Sequence, residues 1–571
     1  MDLSEQDAVR KSSRLLDRIE NRLMSKLFPS GVGVRGKFTA ADSIVEAVIR
    51  EGKVQSYDLF ANPNCFDRLR SRLVSSWGAA SKRVGLHSFD SLLDHFDDFS
   101  LITLISPDLT CDALKLRNHA ASRPTPVVML THGFSLHTLL HDTFLQLLLS
   151  DVQACDSIIC TSHASQAAMT QTLAQVCEHF NCEYGTRLKY HGRVDRIPIC
   201  VDTNTLVPKD KIRSRSKFRL PPDAMVLLFL GRISPLKADL IPLLTVFKDL
   251  TKANPDKRLI LIIAGSPDEP YTQILKEYVT ELGLTKKVRF IFNTPDLDKP
   301  ALFSAADIFV APADSLLESF AVAVVEAMSC GLPQVAANWD GYRDTVEDGK
   351  TGILVPTMWT RCDQDLAVTG SMFGWEFDHY QTAQSIAMDL SSLKGALQVL
   401  IENDTLRQDM SRESRLRAES VFSYSVVARQ YEQLSWNLHE IAGTITINKK
   451  DVSYDRPSYF DRFSLHASHI LKDEQELVLT SLCDEKHGRW LLRSRTSAGE
   501  GIEADDTNLI LKALDICYDC STLASSGAHR VAKSITFGDL LAKTASPLEQ
   551  SLPPAKMAIM WLIKQGYLRL R

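Results

Sequence analysis

Hydrophobic and polar positions alternate between short apolar runs and helical patterns along most of the chain. After a glycine-containing loop at residues 29–36, the spacing predicts a helix over Thr39–Glu51 that ends at Gly52. Several apolar runs with the length of buried strands follow, each succeeded by a polar or helical stretch. These runs are Tyr57–Ala61, Leu101–Ile105, Pro126–Leu130 and Ser157–Cys160. This alternation is typical of a parallel sheet with crossover helices, so the N-terminal half is predicted to be α/β.

A second alternation begins after the polar, basic connection Lys209–Arg219. Its apolar runs are Met225–Leu230, Leu259–Ala264, Val288–Phe292, Asp307–Ala311 and Gln334–Ala337. Long helical patterns from Asp389 to about Ile441 close it, and the last of these helices is expected to pack back on the N-terminal domain. The pattern predicts two doubly wound, Rossmann-like domains in tandem. Ligands are expected at the carboxyl ends of the strands, in the cleft between the domains.

The two ends of the chain have a different character. Residues 1–28 place apolar side chains at helical spacing among arginines and lysines, which predicts an amphipathic basic helix. Such a helix contacts a membrane surface or packs on the body of the protein, and both interpretations stay open. After residue 448, helical patterns at Asn508–Cys517 and Ala555–Gln565 suggest a small α+β domain resembling a winged helix. The predicted division is therefore 1–28, 29–208, 209–448 and 449–571.

Composition narrows the class of protein. A chain of 571 residues exceeds one hydrophobic core, and 44% hydrophobic with 24% charged residues is typical of a folded protein. The net charge of -5 gives no bulk attraction to nucleic acid, so binding DNA or RNA would need a local basic patch. Twelve scattered cysteines, no signal or transit peptide and no long apolar stretch predict a soluble, cytoplasmic protein that is at most peripheral to a membrane.

The segment Val310–Val355 carries the densest candidate chemistry. A strand opens into a polar loop, and a helix follows. Ser319 is predicted to cap this helix, which would direct the backbone N–H groups of Phe320, Ala321 and Val322 into the cleft. A helix start favours anions, so a diphosphate is expected there.

Two glutamates flank that helix start. Glu318 and Glu326 would lie about 12 Å apart if the whole stretch were helical, a span that suits two ends of one nucleotide sugar. Carboxylates accept paired hydrogen bonds from vicinal diols, so Glu326 is assigned to ribose hydroxyls and Glu318 to hydroxyls of the donor sugar. As isolated residues, Glu326 would instead be a solvated helix residue, and Glu318 a charge at the helix start that the helix dipole favours.

Together with residues after the strand Met225–Leu230, the glutamates resemble a known family. Glu318 and Glu326, with Gly231, Arg232 and Lys237, resemble the retaining family 4 glycosyltransferases of the GT-B fold. The resemblance is dense over about residues 225–434 and looser over 29–205. It continues through Ala264–Ser266, Ser304–Asp307, Gly341–Val355 and Phe422–Ser423. It implies that Arg232 and Lys237 neutralise the donor diphosphate.

Matches in the N-terminal half are weaker. The loop with Gly31, Gly33 and Gly36 looks like the first loop of the family, which lies near the phosphates and the acceptor. His132 follows a predicted strand, where the family often has a histidine that contacts the donor sugar or helps to build the acceptor pocket. Taken alone, these residues would be turn glycines and a structural histidine.

The sequence departs from the family pattern at some positions. Ala321 stands where the family usually has glycine, and Asp344 where it usually has glutamate. Residues 357–387 form an insertion rich in aromatic and acidic side chains. The extra methyl group at residue 321 is expected to narrow the donor geometry, and the insertion could shape the acceptor site.

The resemblance implies a retaining hexosyltransferase that uses a nucleotide diphosphate sugar and needs no metal or other cofactor. A single Cys-x-x-Cys at Cys517–Cys520 is interpreted as a buried stretch and not as a zinc site. A phosphorylase or disaccharide synthase remains an alternative. So does a non-catalytic scaffold that binds a macromolecule through its C-terminal domain. The donor base and sugar, the acceptor class and the oligomeric state stay open.

Overall fold

The computed structural model describes residues 36–54, 56–61, 66–88, 102–104, 109, 111–131, 137–362, 375–446, 459–480, 504–519, 522–523, 530–531, 534–544, 552–564 and 566–571. Described residues 36–61 and 68–446 form one compact unit, and those from 459 onward belong to a second. The predicted helix at residues 1–28 lies outside the described residues. Within them, no helix is both long and apolar enough to cross a bilayer.

A parallel sheet organises the N-terminal part of the larger unit. Its strands, in their order across the sheet, are β3 (Ile102–Leu104), β4 (Val127–Leu130), β5 (Ser157–Cys160) and β6 (Arg193–Arg196). Every residue of β4 and β5 is buried, which explains why these strands read as unbroken apolar runs. Two further strands, β1 (Tyr57–Ala61) and β2 (Val84–Ser88), form a separate parallel pair. The helices of this part are α1 (Gly36–Glu51), α2 (Phe66–Trp77), α3 (Asp112–Ala120), α4 (His137–Leu149) and α5 (His163–Tyr184).

A parallel sheet of six strands forms the following part. Its strands in chain order are β7 (Met225–Leu230), β8 (Leu259–Gly265), β9 (Val288–Phe292), β10 (Ile308–Ala311), β11 (Gln334–Ala337) and β12 (Gly352–Val355). The order across the sheet is β12-β11-β10-β7-β8-β9, a doubly wound arrangement. Its helices are α6 (Lys211–Lys217), α7 (Ile241–Ala253), α8 (Tyr271–Glu281), α9 (Lys299–Ala305), α10 (Val322–Ser329) and α11 (Tyr342–Thr345). The prediction of two Rossmann-like domains, the architecture of the GT-B fold, is confirmed.

The strand order creates a switch point between β7 and β10. These two strands are hydrogen-bonded neighbours, and the connections that leave them run to opposite sides of the sheet. Open α/β sheets bind ligands at such a point, outside the carboxyl ends of the strands. The loops after β7 and β10 are therefore where the site is expected.

A series of helices follows the six-stranded sheet, and the last of them packs against the N-terminal part. They are α12 (Trp375–Gln384), α13 (Leu390–Glu402), α14 (Asp404–Val421) and α15 (Tyr424–Ala442). Apolar residues of α15, among them Tyr431 and Leu438, pack in one cluster with Ile44 of α1 and Val128 of β4. This shared core attaches the N-terminal sheet to α15, the last helix of the larger unit. A short antiparallel ribbon, β13 (Thr357–Trp359) with β14 (Ile386–Met388), pairs the two ends of the insertion.

The second unit contains a three-stranded antiparallel sheet. Its strands are β15 (Glu476–Leu479), β18 (Ile535–Thr536) and β19 (Leu568–Leu570), with β15 in the centre, and β16 (Thr522–Leu523) pairs with β17 (Arg530–Val531) elsewhere in the unit. Its helices are α16 (Tyr459–Phe463), α17 (Ala504–Asp519), α18 (Phe537–Thr544) and α19 (Leu552–Lys564). Cys517 is 3% exposed within the core that these elements form, as expected of a buried stretch. The comparison with a winged helix stays a prediction.

Candidate functional site

Two glycines bring the loops after β7 and β8 into contact. The Gly231 N–H donates to the carbonyl of Ala264 at 3.0 Å, and Gly265 has a φ of 145°. A Cβ at residue 265 would lie 1.6 Å from the Gly231 carbonyl oxygen. Only glycine allows the two backbones to approach this closely, and the approach fixes the start of the loop that carries Arg232 and Lys237.

Lys237 and Glu318 meet at the switch point. Lys237 Nζ lies 3.0 Å from Glu318 Oε2 and donates to the Leu317 carbonyl at 2.6 Å. The two side chains are 22% and 11% exposed. The structure therefore brings together a cation from the loop after β7 and an anion from the loop after β10, as the switch point predicts.

The remaining contacts of Glu318 hold its carboxylate in one orientation. The Ala321 N–H donates to Oε1 at 2.8 Å, and the Tyr342 hydroxyl donates to Oε2 at 3.2 Å. Burial, and next the charge of Glu318, raise the pKa of Tyr342 well above its ordinary value. Tyr342 therefore stays a hydroxyl donor to Glu318 at neutral pH.

The helix after Glu318 begins later than the sequence predicted. α10 starts at Val322, and its N-cap is Ala321 in a left-handed conformation with φ 70° and ψ 61°. The prediction that Ser319 caps the helix is wrong, because the Glu318 carboxylate takes the Ala321 N–H and turns the chain there. The first bond into the helix runs from the Val324 N–H to the Ala321 carbonyl, so the N–H groups of Val322 and Ala323 lead the helix.

Ser319 and Phe320 form the turn between Glu318 and the helix. The Thr161 hydroxyl donates to the Ser319 carbonyl at 3.3 Å, and Phe320 is 1% exposed. Phe320 packs edge-on against Phe422, with ring centroids 5.8 Å apart. A Cβ at Gly341 would come within 2.4 Å of Phe320 Cα, so this glycine permits the turn to pack where it does.

Glu326 lies in α10 and forms a second buried ion pair. Lys299, the first residue of α9, places its Nζ 3.1 Å from Glu326 Oε1. The same ammonium lies 2.9 Å from Asp296 Oδ1. The Lys299 and Glu326 side chains are 15% and 10% exposed.

The other predicted site residues are distributed as follows. Arg232 is exposed on the loop after β7. Gly36 is the first residue of α1 and not part of a loop, while Gly31, Gly33 and His132 lie outside the described residues. Among the residues that the structure does describe, no group of three His, Cys, Asp or Glu side chains is placed to hold a metal ion. The metal-independent reaction stays a prediction.

The N-terminal sheet contributes residues at the carboxyl end of β5. The Ser162 hydroxyl donates to Asp340 Oδ1 at 2.8 Å, and the His163 N–H donates to Asp344 Oδ2 at 2.9 Å. The His163 ring also contacts the Asp344 carboxylate. Asp344, where the related family usually has glutamate, thus receives the first N–H of α5.

Two aspartates near Glu318 have pKa values well above those of ordinary aspartates. Burial raises the pKa of Asp340 to about 7, opposed by the Ser162 hydrogen bond and reinforced by Glu318 and Asp344. Burial also raises the pKa of Asp314 to about 7. Carboxyl groups with such pKa values are common at functional sites, because both protonation states are accessible near neutral pH.

Sequence reasoning missed Lys299, Tyr342 and Asp340 as members of the site. Tyr342 and Asp340 lie at the start of the stretch Gly341–Val355 or next to it, but spacing gave no reason to single them out. Lys299 had a usable signal. It follows the polar loop after β9, just as Arg232 follows β7, and the carboxyl ends of parallel strands share one edge.

Comparison with known families places the site in context. Residues 210–362 match the profile of the family described as glycosyl transferases group 1. One curated relative is the D-inositol 3-phosphate glycosyltransferase 2 of Catenulispora acidiphila. It is 39% identical over 171 residues, which cover 29% of this chain and 39% of the relative. The D-inositol 3-phosphate glycosyltransferase of Streptosporangium roseum is 34% identical over 179 residues, 30% of this chain and 40% of the relative.

Solved structures of similar shape include the complex of Anabaena Alr3699/HepE with UDP-glucose. It has 19% sequence identity and a TM-score of 0.47, and the match covers 71% of this chain and 98% of that chain. The chain spans about two fifths of the length of the curated relatives named above. The match of residues 210–362 to this profile, together with the curated relatives, confirms the resemblance to a family 4 glycosyltransferase of the GT-B fold.

Proposed function

We propose that this protein is a retaining glycosyltransferase that moves a hexosyl group from a nucleotide diphosphate sugar to an acceptor. The observation that supports this most directly is the pair formed by Lys237 and Glu318 at the switch point of the six-stranded sheet. One cation for the diphosphate and one carboxylate for sugar hydroxyls lie within hydrogen-bonding distance of each other. In a nucleotide sugar, the diphosphate and the hydroxyl-bearing sugar that these two side chains would bind are also adjacent.

Departure of the leaving group places negative charge on the diphosphate. Lys237, Arg232 and the leading N–H groups of α10 at Val322 and Ala323 supply fixed positive charge on that side of the site. Groups that are already oriented stabilise such a charge without reorganising during the reaction. We therefore assign them the role of electrophilic catalyst.

The contacts of Glu318 argue against a covalent glycosyl intermediate on this residue. Both carboxylate oxygens already accept hydrogen bonds, from Ala321 at Oε1 and from Tyr342 at Oε2. These hydrogen bonds and the contact with the Lys237 ammonium withdraw electron density from both oxygens, so we assign this carboxylate to binding hydroxyl groups through its remaining lone pairs. We therefore favour attack by the acceptor on the face that the leaving group departs from, with the departing phosphate oxygen taking the acceptor proton. Retention at the anomeric carbon follows from that geometry.

The acceptor is expected near the sugar end of the site. Trp339 follows β11, and its indole N–H donates to the Ser315 carbonyl at 3.1 Å, three residues before Glu318. Trp359, at the end of β13, packs edge-on against Trp339 with centroids 5.7 Å apart and is 53% exposed. Through these contacts the start of the insertion lies close to the loop that holds Glu318. This supports a role for the insertion in shaping the acceptor site. His132 is kept as a candidate that contacts the donor sugar or helps to build the acceptor pocket, as the resemblance implies.

Relatives suggest one acceptor to test. Two of them are named for D-inositol 3-phosphate, a phosphorylated polyol. We include this compound among the candidate acceptors, beside simple glycosides. The exposed side chain of Arg232 could bind either the diphosphate of the donor or the phosphate of a phosphorylated acceptor.

The proposal is tested first by ligand binding and then by product analysis. We expect uridine, guanosine or adenosine diphosphate to stabilise the full chain in a thermal-shift assay, by about 2.7 kcal/mol at a hundred times its dissociation constant. The matching nucleotide sugars, with D-inositol 3-phosphate or an alkyl glycoside, should yield a product whose anomeric configuration equals that of the donor. A flat binding panel would overturn the donor assignment, and an inverted product would overturn the mechanism. Turnover with inorganic phosphate in place of the nucleotide would favour a phosphorylase.

A further inference from the structure

Lys299 joins two parts of the site that are distant in sequence. It begins α9 directly after the short turn Asp296–Asp298, and its Nζ reaches Glu326 Oε1 in α10 at 3.1 Å. On its other side the ammonium lies 2.9 Å from Asp296 Oδ1. The lysine is thus held between one carboxylate of its own turn and one on the helix that leads away from Glu318.

The environment keeps this lysine charged. Burial alone would lower the pKa of Lys299, but the charges of Glu326 and Asp296, with their hydrogen bonds, outweigh burial and raise it. Lys299 and Glu326 are both mostly buried, whereas Asp296 is 83% exposed. The buried charge of Glu326 therefore has its compensating charge in Lys299, and removing Lys299 would leave the Glu326 carboxylate buried without that partner.

This contact also restricts the orientation of Glu326. A carboxylate that binds an ammonium through Oε1 presents its second oxygen in a defined direction, as a rotating side chain would not. Recognition of a vicinal diol needs such a fixed acceptor, since the two hydroxyls of a ribose donate from set positions. This arrangement suits a carboxylate that accepts hydrogen bonds from ribose hydroxyls while a neighbouring cation fixes its orientation.

We propose that Lys299 is a positioning residue that orients Glu326 toward the ribose of the nucleotide and thereby sets a preference for ribonucleotides over 2′-deoxyribonucleotides. The inference rests on the proposed function, because it takes Glu326 to bind the ribose of a nucleotide sugar. It goes further in assigning a role to a residue of α9, which no motif in the sequence singles out. A lysine that served stability alone would not change the preference of the protein for ribonucleotides over 2′-deoxyribonucleotides.

The test is the ratio of two dissociation constants, measured by titration calorimetry with the full chain. The probes are the diphosphate among uridine, guanosine and adenosine diphosphate that binds best, and its 2′-deoxy form. The wild-type protein should prefer the ribonucleotide by about 10- to 100-fold, the range for one hydrogen bond to a charged group. In K299M and in K299Q the ratio should fall to about 2 or less, because Glu326 then loses its fixed orientation. K299R keeps the charge and should retain most of the preference.

A matched control is K350M. Lys350 also pairs with a glutamate, Glu347, at 3.0 Å in the same domain, but its side chain is 60% exposed. This variant should keep the wild-type ratio. Thermal unfolding of each variant shows whether it is folded, and K299Q serves if K299M is not.

The possible results separate the two proposals. If the wild-type protein binds none of the diphosphates, the proposed function fails and this inference fails with it. If it binds them but does not distinguish ribose from deoxyribose, or if K299M and K299Q bind both forms more weakly with an unchanged ratio, the inference fails while the donor assignment stands. A ratio that collapses in K299M and K299Q and persists in K299R and K350M supports it.

Discussion

Lys237 Nζ lies 3.0 Å from Glu318 Oε2, so the cation proposed to bind phosphate and the carboxylate proposed to bind sugar neutralise each other across the switch point. Each is mostly buried, and each would otherwise be a charge removed from water without a partner. A nucleotide sugar that brings one anionic and one hydroxyl-bearing group can replace both halves of this pair. The pair therefore preserves the site when no substrate is bound.

We expect Lys237→Met to lower kcat by about 10²- to 10³-fold, because a fixed positive group that faces the leaving group is lost. The variant should also be less stable, since the mostly buried Glu318 carboxylate then lacks its cationic partner. Adding Glu318→Gln should recover part of the stability but none of the activity. The coupling energy of the double-mutant cycle for stability is expected to be about 1 to 3 kcal/mol.

Lys217→Met is the control for this cycle. Lys217 pairs with Asp298 in the same domain, but the two side chains are 47% and 34% exposed. Exposed pairs contribute little, so this change should leave kcat and thermal stability close to those of the wild-type protein. Additive effects of Lys237→Met and Glu318→Gln on stability would contradict the pairing.

Gly265 tests whether the close approach of the loops after β7 and β8 is required. Alanine there would place its Cβ 1.6 Å from the Gly231 carbonyl, at a φ of 145° that side chains rarely adopt. We expect Gly265→Ala to reduce the free energy of unfolding by more than about 3 kcal/mol and to abolish nucleotide binding, because the loop with Lys237 must move. Gly395→Ala is the matched control. A Cβ at residue 395 meets no atom within 4 Å, and alanine in the interior of α13 should stabilise by about 1 kcal/mol. Normal binding by Gly265→Ala would show that the approach is dispensable.

Much of the fold follows from local pattern. Buried runs such as Pro126–Leu130 and Met225–Leu230 were predicted because each corresponding strand is covered on both faces and so carries few polar residues. The strands Val84–Ser88 and Arg193–Arg196 were missed. Both carry partly exposed polar or charged side chains, since they lie at the edges of their sheets.

The site was only partly predictable for a different reason. Glu318 and Lys237 came from motif spacing, and the strand order then explains why they meet. The pairing of Lys299 with Glu326 spans 27 residues and two elements, so no local pattern contains it. The helix start was misplaced because serine is a common N-cap, whereas here Glu318 bonds to a backbone N–H of Ala321 and sets the turn.

Ala321 is the clearest point of backbone strain near the site. Its φ of 70° is left-handed, a conformation that costs an alanine about 1 kcal/mol or more relative to glycine. We expect Ala321→Gly to raise the melting temperature slightly, with a gain of about 0.5 to 1 kcal/mol after the larger entropy of the unfolded glycine is counted. Nucleotide affinity should stay equal or rise, because the methyl group beside the predicted phosphate position is removed.

Ala323→Gly is the same substitution at a neighbouring position, and we expect it to lower the melting temperature instead of raising it. Residue 323 is the second residue of α10, where glycine costs up to about 1 kcal/mol relative to alanine. Differential scanning calorimetry should therefore shift the melting temperature in opposite directions for the two variants. A loss of stability in both would mean that the left-handed conformation at residue 321 is not a strain on this protein.

Asp340 links stability to pH. Burial, aided by Glu318 and Asp344, raises the pKa of Asp340 to about 7 in the folded protein, from 3.8 for an unperturbed group. Between these two pH values the unfolded chain has released the proton while the folded protein still holds it. Rising pH therefore favours unfolding through this window, and the contribution levels off above about pH 7. A shift of this size corresponds to about 4 kcal/mol at most.

Asparagine at residue 340 should remove that dependence. Its amide oxygen can still accept the hydrogen bond from Ser162, and asparagine tolerates the φ of 35° that Asp340 adopts. We expect Asp340→Asn to be more stable than the wild-type protein at pH 8 and about equally stable at pH 4, in urea unfolding at both pH values. Asp256→Asn, a change at an exposed aspartate, should match the wild-type protein throughout. If the stability of Asp340→Asn ran parallel to that of the wild-type protein from pH 4 to pH 8, the carboxyl group of Asp340 would have to be ionised in the folded state, and the contact with Ser162 would join a charge to a hydroxyl.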